Sequence, residues 1–592
     1  MDKRKYYSSE RNHQILISLL KQSGIRKVIA SPGATNVSFV GSLQGDPFFE
    51  MYSCVDERSA AHMACGLAAE SGEPVVLSCT GATSSRNYIP AMTRAYYEKL
   101  PILAVTSTQD VRRIGHLIAQ VTDRSVKPTD SFVHAEYVPT CTDAVSEWDA
   151  TIRINRAILA LHHKGGGPVH INLATTYSKD FSVKSLPKAR LIRRITTLDR
   201  FPALPIGRIA IWAGSHLPWS NELRDAVDRF CTKHNAVVFG GHCSNGKSPF
   251  CVNGALLAAQ ESSKSALLKC DLLISIGEVS GDYANMRCLG PQARKVWRVN
   301  EDGELRDQFR NLTHVFEMRE EEFFTHYAEG CKRSAETNAY LEACHKEYDR
   351  LYHKIPDRLP LSNLWIAHKT STLLPEHSVI HFGILNSLRA WDMFEIPQTV
   401  ASFVNSGGFG IDGVMSSCVG GALAQPDRLH FLVIGDLAFF YDMNVTATFP
   451  IPSNMRILLV NNGKGTEFRN YGHNAAIFGD AADRYMAAGG HNGNKSTQLV
   501  RHWAANCGMN YLSASTRKEV LSSLSTFIHG GGVKPILFEV FTTSEDESQA
   551  LYIVTHLDCD KWYLFKKRIH KMVALLLPRP VKDTLKKLIS KF

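Results

Sequence analysis

The sequence has no uninterrupted apolar stretch of the roughly 20 residues that a membrane-crossing helix needs. Its start, MDKRKYYSSERNHQILISLL, has neither the apolar core nor the small-residue cleavage site of a secretion signal. It contains no Cys-x-x-Cys pair and no ligand-spaced Cys/His cluster. Its 14 cysteines are scattered, several inside apolar runs (Cys54, Cys65, Cys79, Cys418). That excludes a small disulfide scaffold and points to reduced thiols in a cytoplasmic protein. With 44% hydrophobic and 21% charged residues the composition also excludes disorder, and 592 residues suggest three or four domains. Charge is scarce as well, once it is located. Residues 561–592 hold ten of the 67 Lys and Arg and one of the 57 Asp and Glu, so they carry +9 of the net +10 and leave +1 for residues 1–560. A nearly neutral body gives no case for nucleic-acid binding.

What is present is a repeated alternation of apolar strand-like runs with helical stretches. The fold class expected is α/β, with three doubly wound parallel-sheet domains and a basic amphipathic helical tail. The first domain, residues 1–185, holds KVIASPG, PVVLSCTG, LPILAVTST and GPVHINLA. The second, residues 190–350, holds RIAIWAGS, NAVVFGG, CDLLISIGEVS and KVWRVNED. The third, residues 360–548, holds VIHFGI, TVASFVNSGG, LHFLVIGD, MRILLVNNG and PILFEVFT, a pattern like that of the first without a direct repeat. The tail, residues 555–592, sets Trp562, Phe565, Ile569, Met572 and Leu576 on one helical face and its lysines largely on the other. Such a segment suits an anionic membrane surface, a partner or the protein's own body. If the membrane is its target, removing residues 556–592 should abolish sedimentation with anionic liposomes, and unchanged sedimentation excludes that role.

Two glycine-rich loops imitate nucleotide motifs. Gly241 to Ser248 (GHCSNGKS) fits the phosphate-loop pattern, but Pro249 follows where a helix should open, so an ordinary loop is expected. Gly408 to Gly413 (GFGIDG) fits GxGxxG between a strand and a helix, a weak signal alone.

A more specific constellation follows. Gly435 and Asp436 end the run LHFLVIG, and Asn461, Asn462 and Gly463 follow MRILLV. A carboxylate and an amide at the carboxyl ends of two strands supply hard oxygens to one Mg²⁺. Gly-Asp followed after about two dozen residues by Asn-Asn resembles the motif of the thiamine-diphosphate-dependent enzymes. That resemblance implies Mg²⁺ held by Asp436, the Asn462 side chain and the Lys464 carbonyl, with Gly435, Leu437, Ala438 and Ser387 among the cofactor contacts. Asp56 to Gly66 (DERSAAHMACG) resembles the same enzymes' glutamate motif, which assigns Glu57 to N1′ of the aminopyrimidine. Asn405 to Gly413 then resembles their cofactor loop. There Ile411 supports the bent cofactor, and the Gly410 carbonyl faces its 4′-amino group. The domains accordingly become pyrimidine-binding, central and diphosphate-binding.

Within this superfamily the likeness is to the 2-succinyl-5-enolpyruvyl-6-hydroxy-3-cyclohexene-1-carboxylate synthase family of carboligases, over residues 15–545. It includes ISLLKQSGIRKVIASPGAT, VDERSAAHMACGLA, SGGFGIDGVMSS and GDLAFFYDMN. The substrate grip departs from that family, whose arginines hold carboxylates. Its Ser-Arg after Ser-Pro-Gly is Ala34-Thr35 here, and a loop arginine aligns with Gln109 while Gln120 is kept. Ser387 matches, but the arginine four residues on is Trp391, and that of the cofactor loop is Ser406. Thr35, His116, Gln120 and Trp391 are therefore the expected substrate-side positions, for a less acidic or differently shaped substrate. Arg112, Arg113 and His116 either replace lost cations or are exposed loop charges.

The resemblance implies that Glu57 shares a proton with N1′ and thereby promotes formation of the cofactor's ylid. The ylid adds to a 2-oxo acid, CO₂ leaves, and the enamine is protonated or added to an acceptor carbonyl. Glu467 is a second proton-transfer candidate, or is ion-paired with Arg469 or Lys464. Because Glu57 and Asp436 lie in different domains, a homodimer or tetramer with sites at subunit interfaces is implied. The alternative is a non-catalytic scaffold of the same fold brought to a membrane by the tail. Glu57, Asp436 and Asn462, all present, count against it.

Overall fold

The structure, a computed structural model, describes residues 6–122, 127–261, 265–329, 338–530 and 532–559. The basic segment 561–592 lies outside these, so of the expected tail only residues 555–559 are described. Among the described residues no helix is long and apolar enough to cross a membrane, and every cysteine is free.

The first domain is a six-stranded parallel sheet of β1 (Lys27–Ala30), β2 (Glu50–Ser53), β3 (Val75–Cys79), β4 (Ile102–Thr108), β5 (His134–Val138) and β6 (Val169–Ala174). Their order is β2-β1-β3-β4-β6-β5. Every residue of β3, β4 and β6 is buried. Strands apolar on both faces need cover on both, which parallel sheets obtain from their crossover helices. Strand alternation divides that cover. Val76, Leu103 and Val105 pack with the helices Arg11–Gln22 and Ala144–Ala160, while Val75, Leu77, Ile102 and Ala104 pack with Glu57–Ser71 and Ile89–Glu98.

The central domain contributes β7 (Arg193–Thr196), β8 (Ile209–Ala213), β9 (Val237–Phe239), β10 (Cys251–Val252), β11 (Cys270–Ile276), β12 (Ala293–Val299) and β13 (Leu312–Glu317). Strands β10, β9, β8, β11 and β12 pair in that order, all parallel. The chain divides into two compact units, residues 1–201 with 302–317 and residues 202–301 with 318–592. The first unit thus takes β7 and β13, which pair in parallel. Asp307 fixes this strap by accepting hydrogen bonds from Trp148 Nε1 (2.9 Å) and Arg190 Nη2 (2.7 Å).

The third domain has β14 (Val379–Phe382), β15 (Ala401–Val404), β16 (His430–Gly435), β17 (Met455–Asn461), β18 (Asn510–Ala514) and β19 (Ile536–Phe541). Their order, β15-β14-β16-β17-β19-β18, repeats that of the first domain position for position. In each sheet the order reverses between its first and third strands, the place where such folds bind ligands at the strands' carboxyl ends. The loop 241–248 opens no helix; after one tight turn at His242–Ser244 it leads into β10. It works as a tie: Asn245 exchanges hydrogen bonds with the Ser402 backbone (2.7 and 2.8 Å), and His242 N donates to Asp392 Oδ1 (2.7 Å).

Candidate functional site

In the first unit the functional side chains hang on the loops after β1 to β4. Asp56 caps the helix Glu57–Ser71, its carboxylate accepting from Arg58 N (2.9 Å) and Ser59 N (3.4 Å). This cap fixes Glu57 as the first helical residue, half-buried beyond the carboxyl end of β2. Beneath it lies the fully buried Tyr88, whose hydroxyl burial holds far above the usual phenol range, with the Cys79 and Glu57 charges acting in the same direction.

Thr35 is 9% exposed, and its hydroxyl donates to Ser107 O (2.9 Å) while touching Thr80 Oγ1. The hydroxyl ties three strand-end loops together, its one proton committed to the Ser107 carbonyl. Gln120 has a left-handed backbone (φ 61°) and lies against Gly81, where an added Cβ would meet Gln120 Oε1 at 2.4 Å. His116 is exposed in the same loop. Arg112 pairs with Asp110 (2.7 Å) and Arg113 donates to Gln109 Oε1 (2.7 Å), so both guanidinium groups have local partners.

In the second unit Asp436 begins a helix as soon as β16 ends, and it is 2% exposed. Its Oδ2 faces His491 Nε2 at 2.9 Å. The nearby cations are engaged elsewhere: Lys464 with Asp483 (2.8 Å) and Arg469 with Asp483 (2.6 Å) and Asp480 (2.9 Å). On the neighbouring strand β17, Asn461 turns inward and donates to Glu539 Oε1 (2.7 Å). Burial raises the pKa of Glu539, and the charge of Asp436 adds to the effect. Gly463 (φ 75°) then turns the chain, a conformation that favours glycine. The Asn462 amide is left with only long contacts, from Lys464 N to its Oδ1 and from its Nδ2 to Thr466 Oγ1 (both 3.4 Å). A buried anion with a partly committed amide oxygen on the next strand is a hard-oxygen set that calls for a cation, and it fits Mg²⁺.

The loop Asn405–Gly413 lies between β15 and the helix Val414–Ala424. A Cβ at Gly410 would sit 2.1 Å from Asp412 Oδ1, so a side chain there would displace the Asp412 carboxylate. Ile411 is partly buried against both apolar clusters of the domain. Gly435 and Leu437 are half-buried, and Ala438 and Ser387 are buried. The first amides of the helix opening at Asp436 have no intrahelical acceptors, which suits phosphate oxygens.

Beside this region a cavity of about 280 Å³ is lined by Asn386, Arg389, Glu467, Asn470 and Glu547 among others. Glu467 is ion-paired with Arg389 (2.5 Å), not with Arg469 or Lys464, and Arg389 also lies over the Tyr283 ring (5.2 Å). The Asn386 amide, in the orientation that satisfies both its ends, donates to Glu467 Oε2 (2.8 Å). Trp391, an expected substrate-side position, is 1% exposed and packs in the core against Phe382. Sequence reasoning missed Arg389. Helical spacing was the available signal: Asn386 and Arg389 share a face at i, i+3, whereas Trp391 lies off that face.

Glu547 is 5% exposed and accepts from Asn363 N (3.0 Å), Asn363 Nδ2 (3.1 Å) and Thr542 Oγ1 (2.9 Å). Burial outweighs these bonds and pushes its pKa up from 4.5 to about 7. An acid whose pKa rises on folding contributes stability that is complete below its unfolded value and lost as pH rises through the folded one. Glu547→Gln should therefore flatten the decline in stability across that window, worth about 3 kcal/mol in all. Denaturant melts at a series of pH values measure it, and an unchanged slope contradicts the assignment.

Comparison with known proteins adds to this geometry. Residues 11–127 match the family model described as thiamine pyrophosphate enzyme, N-terminal TPP binding domain. A protein of Bacteroides thetaiotaomicron is 29% identical over 571 residues, covering 92% of this chain and 98% of its own. Relatives from Bacteroides fragilis and Phocaeicola vulgatus are 28% and 27% identical with the same coverage. All three carry the name 2-succinyl-5-enolpyruvyl-6-hydroxy-3-cyclohexene-1-carboxylate synthase.

Proposed function

We propose that this chain, whose likeness to thiamine-diphosphate-dependent enzymes runs over 92% of its length, is a thiamine-diphosphate- and Mg²⁺-dependent decarboxylase or carboligase acting on a 2-oxo acid. The observation that carries the reading is the buried Asp436 beside the Asn462 amide, at the carboxyl ends of adjacent parallel strands. Asp436, Asn462 and the Lys464 carbonyl would hold the metal, with His491 orienting the Asp436 carboxylate. Glu57 would hold a proton at N1′ of the aminopyrimidine, its position set by the Asp56 cap. Ile411 would support the cofactor and Gly410 offer its carbonyl to the 4′-amino group. When bound, thiamine diphosphate supplies the nucleophilic carbon and the electron sink that decarboxylation of a 2-oxo acid needs.

The residues around the 280 Å³ cavity shape the substrate side of the third domain. Glu467 neutralises Arg389 and, with Asn386, holds the guanidinium in place. An acidic substrate group would have to compete with Glu467 for it, which suits a substrate with fewer carboxylates than a succinyl-bearing one. The relatives' names support transfer to an acceptor over simple decarboxylation. Glu57 and Asp436 belong to different compact units, which supports a homodimer in which each site draws on two chains. The test is CO₂ release from a panel of 2-oxo acids, with and without aldehyde acceptors. Turnover of at least one acid, dependent on added cofactor, is expected. Cofactor binding with no turnover across the panel overturns the reading and leaves a scaffold.

A further inference from the structure

We infer that His381, Cys418 and His430 form a second cation site, for a zinc-type divalent ion, separate from the Asp436 site. The three residues come from three segments of the third domain. β14 and β16 are adjacent and parallel with Val379 opposite His430, so His381, two residues further along, projects from the same face of the sheet. The helix Val414–Ala424 supplies Cys418, and one ligand atom from each of the three residues lies within 4.8 Å of the other two. His430 opens β16 and Asp436 follows its end. Six residues of strand, about 20 Å, therefore separate the two sites.

The cluster is buried and poorly satisfied by the protein. His381, His430 and Cys418 are 6%, 2% and 0% exposed. No hydrogen bond of good geometry reaches His381 Nε2 or either ring nitrogen of His430, although the Gln425 backbone lies near enough to act on the His430 ring. Buried imidazole nitrogens are ordinarily paired, and an apolar position in a sheet core is ordinarily filled by a branched aliphatic side chain. The Cys418 thiol reaches only the Phe431 carbonyl, at 3.9 Å. Gly421, one turn beyond Cys418, lets the helix come close. A Cβ there would stand 3.2 Å from His381 Nε2 and 3.4 Å from His430 Nδ1.

Two imidazoles and a thiolate suit zinc and its borderline neighbours and not Mg²⁺, which takes hard oxygens. A tetrahedral ion with N at about 2.0 Å and S at about 2.3 Å spaces its ligands about 3.3–3.5 Å apart. Side-chain adjustments of about an ångström reach that spacing from the arrangement seen. Binding is redox-neutral: the Cys418 S–H bond breaks, the proton leaves to solvent and a sulfur–metal bond forms. His381 and His430, though not Cys418, line a cavity of about 570 Å³ that Ser417, Gln425 and Arg428 also border, so the two imidazoles are the ligands an entering ion meets first.

Co²⁺ is the probe, added to the chelator-stripped full-length protein with Mg²⁺ saturating the hard-oxygen site. The expected result is one tight binding step with thiolate-to-cobalt charge-transfer absorption and the intense visible bands of a four-coordinate ion, both erased by Zn²⁺. Cys418→Ser should abolish the charge-transfer band, and His430→Gln should weaken binding at least tenfold. Zn²⁺ should raise the melting temperature of the parent protein and leave that of Cys418→Ser unmoved. A parent protein without the charge-transfer band overturns the proposal whether or not the variants fold, and so does the same band in Cys418→Ser.

Discussion

Asp436→Ala should abolish turnover and weaken Mg²⁺-dependent cofactor uptake by about 100-fold or more, since even indirect metal-orienting contacts are worth 10–100-fold. The same substitution removes a carboxylate that is 2% exposed and has an imidazole, not a fixed cation, as its close partner. Burying such a charge costs stability, so the cofactor-free variant should melt at or above the parent's temperature. The stabilisation that Mg²⁺ and thiamine diphosphate together give the parent should vanish. A lower melting temperature with cofactor stabilisation intact would make Asp436 structural. The paired readout matters because loss of activity alone cannot separate a metal ligand from a folding residue.

Glu57→Gln should leave cofactor binding within a few-fold of the parent and cut turnover by about 10²–10⁴, the usual contribution of a positioned acid–base group. The amide keeps the size of the side chain and the Asp56 cap but cannot exchange a proton with N1′. Glu57→Asp should restore part of the rate at a shifted pH optimum, which a purely structural role would not produce. Tyr88 lies close enough for the Glu57 charge to act on its hydroxyl, so removing that charge should lower the phenol's pKa, readable by ultraviolet titration.

The strands were legible because fully buried parallel strands leave dense apolar runs. VVLSC, ILAVTST and MRILLVN stand out in the sequence and are buried throughout. The kinship of the first and third domains showed only as a pattern, yet their strand orders are identical. β7, the charged tetrapeptide RRIT, falls within the second domain expected from the sequence, whereas the Asp307, Arg156–Leu305 and His163–Glu317 contacts hold it and β13 with the first unit. The placement of Asp436, Asn462 and Glu57 after strand ends could be read because each has a distinctive neighbour. For Thr35 and Trp391, correspondence with a relative's position says nothing of which way the side chain turns. One hydroxyl turned into a loop junction and one indole into the core. The His381–Cys418–His430 cluster was invisible for the opposite reason: its members are 37 and 12 residues apart, and only strand register and helix packing bring them together.

Calorimetric titration of thiamine diphosphate into the full-length protein, in Mg²⁺ and again in excess chelator, tests the central claim most directly. Saturable binding in Mg²⁺ that disappears with chelator is the predicted result. No binding in Mg²⁺, or equal binding in both buffers, would contradict it.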